Sequence, residues 1–341
     1  MSLFSSLAAP ASLAAGEATA PLVWVLHDGK AGMRSQALGL AEATGFPLVE
    51  KPLEIRPPWR LLPPQLWPLS RCAVSRGKVV LAPPWPDLVI GCGRNTVIPA
   101  LAIRRASGGR AFLAQIQDPR RRRSEFDLLI VPEHDRLRGS RVIVSRGAMH
   151  RVTSARLAAE HRRFPALAAM PHPILAVLLG GSNKAYRLTL RRLGEIADAI
   201  AAVLRESGGS ALVTPSRRTG AEGLELMQKR LAGLPAAIWD CTGDNPYFAY
   251  LGLADAFLAT ADSVSMISEA AATGKPIHIL GLDGGNAKFA RFHQLMQQAG
   301  ITRPFAGHVE TWSYPIPDDT ARAGAALRAL VLRRFDQRGR A

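Results

Sequence analysis

Two doubly wound α/β domains in tandem are what this sequence predicts, on three observations. Short apolar runs alternate with longer amphipathic stretches, the signature of strand–helix–strand units in a mostly parallel sheet. The alternation breaks once, at the proline-bearing 164–173, and then restarts. The length, 341 residues, suits two domains of about 150 residues each.

In the first half, 22–26 reads as a strand, followed by a polar glycine-bearing loop and a helix that Gly45 ends. A second strand at 87–93 runs into a glycine loop and another helix. Strands at 111–117, 127–132 and 141–145 continue the pattern. The second half opens with a strand entering two glycines at 174–181, then a long helix to Ser207. Strands at 211–216, 237–240, 256–260 and 276–280 follow, with helices near 221–232 and 263–273. Residues 320–334 form a last helix rich in Ala, Arg and Leu. This gives a loose tail at 1–20, an N-terminal domain at 21–165, a C-terminal domain at 173–305 and a terminal segment at 306–341.

Composition narrows the function classes. No run is apolar for the roughly 18 residues a membrane helix needs, and the first 20 residues lack the basic start of a signal peptide. Cys72, Cys92 and Cys241 have no metal-ligand spacing and no disulfide framework. These features point to a cytoplasmic protein that holds no metal. Lys and Arg exceed Asp and Glu by 16. Such a balance suits a phosphorylated substrate, a polyanion or an anionic membrane face, with proteome-wide arginine bias as the bland alternative. No nucleic-acid-binding signature accompanies it. The run Arg120–Arg123 follows Asp118-Pro119 and reads as a solvated turn.

Segment 57–86 fits neither pattern. Its Trp59, Leu61, Leu62, Leu66, Trp67 and Leu69 read first as a proline-braced excursion packed on its own domain. An apolar patch flanked by arginines and laid on a membrane face is the alternative.

Ligands of open α/β sheets sit beyond the carboxyl ends of the strands, so the loops there are the candidate sites. Gly180, Gly181, Ser182, Asn183 and Lys184 follow one strand. Paired glycines admit a phosphate to the backbone, a helix opening there offers free N–H groups, and Lys184 adds charge. A glycine turn made for tight packing is the alternative, and the loop is neither a Walker nor a GxGxxG motif. Ser216, Arg217 and Arg218 follow the next strand, where arginine suits bidentate phosphate binding. Asp262, Ser263 and Ser265 offer N-caps to a helix carrying Ser268 and Glu269. Glu269 can accept two hydrogen bonds from a ribose diol. In the first half, His27 or Asp28 is a candidate general base beside Gly29, Lys30 and Gly32, with a capped turn as the alternative.

At this point the motifs HDGKAG, PDLVIGCGRNT, FDLLIVPEHD, LLGGSNK, VTPSRRT, NPY and TADSVSMISEAAATGKP together resemble one family. It is the elongated-mitochondria family, named for a plant mitochondrial-fission factor and with many bacterial members. The resemblance runs in order from Leu22 to about Leu332. Beyond it, the halves resemble GT-B glycosyltransferases, above all the peptidoglycan N-acetylglucosaminyltransferase. That likeness implies two Rossmann-like doubly wound domains facing across a cleft, with the final helix crossing back to the first. It implies a nucleotide-sugar on the C-terminal side, held by a glycine loop matching Gly180-Gly181-Ser182 and by a ribose-binding Glu matching Glu269. The acceptor side is matched loosely by His27–Gly32, with Gln36, Gly93, Arg94, His134 and Asp135 in the neighbouring motifs.

The resemblance implies a glycosyltransferase that takes a nucleotide-diphosphate sugar as substrate and needs no further cofactor. The absence of a DxD motif fits metal-independent transfer. A lipid-linked or envelope acceptor is expected, at an anionic membrane surface reached through 57–86 and the basic face, peripheral to the cytoplasmic membrane. A non-catalytic, membrane-associated adaptor is the alternative, after the plant relative's recruiting role. A nucleoside-diphosphate-sugar epimerase ranks third, because the chain has neither GxGxxG nor YxxxK.

Overall fold

The strands that build this protein are apolar on both faces, so they need cover above and below, which a parallel sheet with flanking helices supplies. The computed structural model describes residues 20–62, 67, 80–120 and 122–339. The expected tail up to Thr19, and Leu66, Leu69, Cys72 and Arg121, lie outside them.

The first half runs β1 (Val23–His27), α1 (Ala31–Thr44), β2 (Leu48–Pro52), β3 (Leu88–Cys92), α2 (Val97–Ala106), β4 (Phe112–Ile116), β5 (Leu128–Pro132) and β6 (Val142–Ser145). These strands form one parallel sheet in the order β2-β1-β3-β4-β5-β6. Side chains alternate between its faces as the two-residue period of a strand requires. Val23 and Val25 join the core that includes α1, whereas Trp24 and Leu26 join the core that includes α2.

The chain next forms α3 (Ser154–Arg163), α4 (Pro165–Ala168), β7 (Ile174–Leu179), β8 (Tyr186–Arg187), α5 (Leu190–Ser207), β9 (Ser210–Pro215), α6 (Gly220–Arg230) and β10 (Ala236–Ile238). It continues through α7 (Tyr247–Leu253), β11 (Ala256–Thr260), α8 (Val264–Ala271), β12 (Ile277–Leu280), β13 (Asp283–Gly284), α9 (Ala287–Gln298), β14 (Thr302–Pro304) and α10 (Asp319–Gly339). The second parallel sheet has the order β10-β9-β7-β11-β12-β14, a doubly wound arrangement. A short antiparallel pair, β8 with β13, stands beside it. Together the two halves have the GT-B architecture.

The crossing between halves lies ahead of 164–173. Met149 packs in the first half's core and Val152 in the second's, with Leu157 of α3 against it. The three prolines therefore mark a turn within the second half, where α4 leads into β7. The return crossing is α10, whose Ala323, Leu327 and Val331, spaced at i, i+4, i+8, pack into the core around α1. Gly324 permits the approach: a Cβ there would lie 2.4 Å from that of Ala43.

In the described part of segment 57–86, side chains divide between core and solvent. Trp67 is buried, Trp59 packs on the α2-side core, and Trp85 stacks near Trp24. Leu61, at 84 % exposure, and Val80 remain in solvent. Among the described residues no helix is long and apolar enough to cross a membrane. In the arginine turn, Arg123 pairs with Asp118 and Arg122 with Glu125.

Candidate functional site

Strand order reverses between β1 and β3 in one sheet and between β7 and β11 in the other, opening a crevice at each carboxyl edge. At the first, Asp28 stands on a loop that Gly29 turns through a left-handed φ of 77°. Its Oδ2 accepts from Asn95 Nδ2 at 3.0 Å and pairs with Lys30. Its Oδ1 is buried and has no hydrogen-bond partner among the described residues, although the side chain is only 11 % exposed. A buried carboxylate oxygen left open is costly, and a hydroxyl donor would satisfy it. Gly93, also left-handed, leads to Arg94, which is exposed and has no ion-pair partner among the described residues.

His27 does not face this crevice as a free base. The Gly29 N–H donates to its Nδ1 at 3.1 Å, and its Nε2 lies 2.7 Å from Glu50. Both ring nitrogens are thus committed, and the buried ring orients the loop. Glu50 in turn takes Arg34, and that pair, with His27, holds its carboxyl down at about 2.

At the second crevice Asp262 is the organising group. Its side chain is fully buried, and it accepts from Gly181 N–H at 3.1 Å and Thr260 Oγ1 at 2.6 Å. Arg218 Nη1 reaches it at 2.6 Å and Gly181 O at 2.8 Å. The Ser216 and Thr219 hydroxyls both donate to Gly180 O. Two expectations change here. The paired glycines serve close packing: a Cβ on Gly180 would lie 2.2 Å from Asp262 Oδ1, and one on Gly181 would lie 2.4 Å from the Arg218 backbone. Nor does a helix open after Ser182. Ser182 exchanges hydrogen bonds with Leu188, and Asn183 Oδ1 holds Ala185 and Tyr186 in a side-chain turn. α5 begins only at Leu190, capped by Thr189. Arg218 and Asp262 are consequently structural partners. Arg217 and Lys184 stay exposed, with no ion-pair partner among the described residues.

The helices leaving the two crevices touch each other. Ser263 caps α8 as its type predicts. Ser265, however, sits against α1, where a Cβ on Gly32 would meet its Oγ at 2.9 Å and Gln36 Nε2 lies 3.4 Å away. Ser268 accepts from Ala148 N–H at 2.9 Å. Glu269, 5 % exposed, accepts from Ser35 Oγ at 2.6 Å and Tyr247 Oη at 2.7 Å, so each of its oxygens already holds one protein hydroxyl. Burial raises its carboxyl above the usual range, against the pull of those two donors.

His134 and Asp135, expected on the acceptor side, dock the halves as well. Asp135 pairs with Lys288 of α9 at 2.7 Å, and Arg291 donates to His134 O. The His134 ring packs edge-on against Phe292, and burial pushes it down to about 4. The sequence reading missed Ser35, Asn95, Thr260 and Tyr247, along with β2, α7, α9 and β14. The NPY motif before α7 and the glycine pair before α9 were the available signals. Among the described residues no group of three or more His, Cys, Asp or Glu could hold a metal ion.

Residues 31–331 match the model of the family described as mitochondrial fission ELM1. The chain belongs to that family. It is 35 % identical over 274 residues to the mitochondrial fission protein ELM1 of Arabidopsis thaliana, an alignment covering 71 % of this chain and 63 % of the plant protein. The chain thus spans less than two thirds of that relative's length. It is also 25 % identical to an uncharacterized protein of Rickettsia prowazekii, across 86 % of this chain and 93 % of that one. Among solved structures, the UDP-GlcNAc 2-epimerase of Methanocaldococcus jannaschii in complex with UDP-GlcNAc and UDP superposes with a TM-score of 0.53. It covers 92 % of this chain and 99 % of that one at 14 % identity, a likeness of fold.

Proposed function

We propose that this chain is a GT-B-type, metal-independent glycosyltransferase that takes a nucleotide-diphosphate sugar as donor. The contact between α1 and α8 supports the reading, because it brings the helix that follows the Asp28 loop against the helix that follows Asp262. In the reaction, Asp28 Oδ1 takes the proton of an acceptor hydroxyl, whose oxygen attacks the anomeric carbon. The bond from that carbon to the diphosphate breaks, and its electron pair leaves with the nucleoside diphosphate. Arg217 and Lys184, with no ion-pair partner among the described residues, stabilise that departing charge. The acceptor is lipid-linked or part of the envelope, and the exposed Leu61 and Val80 beside a strongly basic chain suit an anionic membrane surface.

Calorimetry with UDP, ADP, GDP and CDP tests the reading. One of the four binds, and Arg217→Glu weakens it about tenfold or more by removing a charge-assisted contact. The unfolding midpoint stays put, since Arg217 is exposed and has no ion-pair partner among the described residues. If none of the four binds at millimolar concentration, the reading is overturned.

A second reading has an observation of its own. Both Glu269 oxygens are already held by protein hydroxyls, which suits an adaptor that keeps the fold and uses an outer surface. Arg217→Glu combined with Glu269→Ala abolishes the function of a catalyst and leaves that of an adaptor intact.

A further inference from the structure

Glu269 is held by two hydroxyls that come from different halves. Tyr247 belongs to α7, in the same half as α8, and its hydroxyl reaches Oε2 at 2.7 Å. Ser35 lies on α1, 234 residues away in sequence, and its hydroxyl reaches Oε1 at 2.6 Å. No cation forms a salt bridge with this carboxylate among the described residues, so hydroxyl donors alone satisfy it at close range. One hydroxyl per oxygen is also the pattern a vicinal diol presents. The Tyr247 bond can persist when the halves move, because both ends travel together. The Ser35 bond cannot.

Resting on the nucleotide reading above, we infer that Ser35 is a built-in competitor for the ribose. Its hydroxyl holds Glu269 Oε1 in the free protein, and a ribose hydroxyl replaces it in the bound one. Each binding event therefore exchanges the Ser35 bond that links α1 to α8 for one to the ribose. A neighbouring contact suits that exchange. Gln36 reaches Ser265 at only 3.4 Å, a weak bond to give up. The ionic links between the halves include Asp135–Lys288 and, two turns along α1 from Ser35, the grip of Arg151 and Arg156 on Glu42. Affinity is thus set by the difference between a ribose hydroxyl and the Ser35 hydroxyl, and not by the full strength of the Glu269 contact.

Titration of UDP, ADP, GDP and CDP into wild type, Ser35→Ala and Glu269→Gln tests the inference. Ser35→Ala leaves Oε1 short of a donor in the free protein, so it tightens the preferred nucleotide about tenfold. Glu269→Gln, which keeps the shape but loses the charge, weakens it. A contact that merely braced the fold would not raise affinity when cut. Wild type binding a nucleotide while Ser35→Ala binds it equally or more weakly overturns the inference and leaves the nucleotide reading standing. Binding by none of the proteins overturns both.

Discussion

Replacing Asp262 is the sharpest perturbation this structure offers. Its carboxylate sits fully buried at the second crevice and satisfies Gly181 N–H, Thr260 Oγ1 and Arg218. Removing one member of a buried pair costs about 3–5 kcal/mol when the remaining charge is stranded. Arg218 is not stranded, because its side chain is 40 % exposed and also bonds Gly181 O. The Coulombic part therefore shrinks, and what remains is the loss of partners. Asp262→Asn keeps one acceptor oxygen and loses a charge-assisted bond, for a cost of about 2 kcal/mol. Asp262→Ala also leaves the Gly181 N–H without an acceptor and opens space against Gly180, for about 3–4 kcal/mol. Urea denaturation at pH 7 measures both, and Arg218→Ala completes a double-mutant cycle with a coupling near 1 kcal/mol. An Asp262→Asn variant within about 0.5 kcal/mol of wild type, the range of surface substitutions, would refute a buried structural role for this carboxylate.

Two further tests probe how the halves are held. Burial keeps His150 neutral, down to about 4 from an ordinary 6.5, so the unfolded chain takes up its proton first as pH falls. Stability from this group is complete above pH 6.5, and roughly 3 kcal/mol of it is lost between there and pH 4. His134 adds in the same direction, and Glu269, raised by burial, opposes them. Urea midpoints at pH 7 and pH 4.5 that coincide would contradict this. Gly39→Ala in α1 places a Cβ 2.2 Å from His150 O, a backbone atom that cannot swing aside, and is expected to cost at least the 1–3 kcal/mol typical of overpacking. An unchanged thermal midpoint would show that the 146–153 crossing yields instead.

The parallel sheets were legible because each strand carries its own evidence. ILAVLL of β7 is buried along its whole length, and such a run is written in consecutive residues. Short, partly exposed strands gave no such signal: LVEKP of β2 is an edge strand with only partial burial. The candidate loops were likewise found where strand order predicts them, yet several residues exchanged roles. His27 orients a turn, Arg218 neutralises Asp262, and His134 with Asp135 docks α9. Arg217 and Lys184 are exposed, with no ion-pair partner among the described residues.

By itself, then, the sequence determined which segments become strands and helices, since periodicity, caps and glycine stops act within a few residues. It also determined which loops stand at the carboxyl edges. Only the tertiary structure decided who meets whom there. Asp262 finds Gly181 across 81 residues and Glu269 finds Ser35 across 234. Partners at such separations are selected by the packing of whole helices and sheets, and no local pattern encodes them.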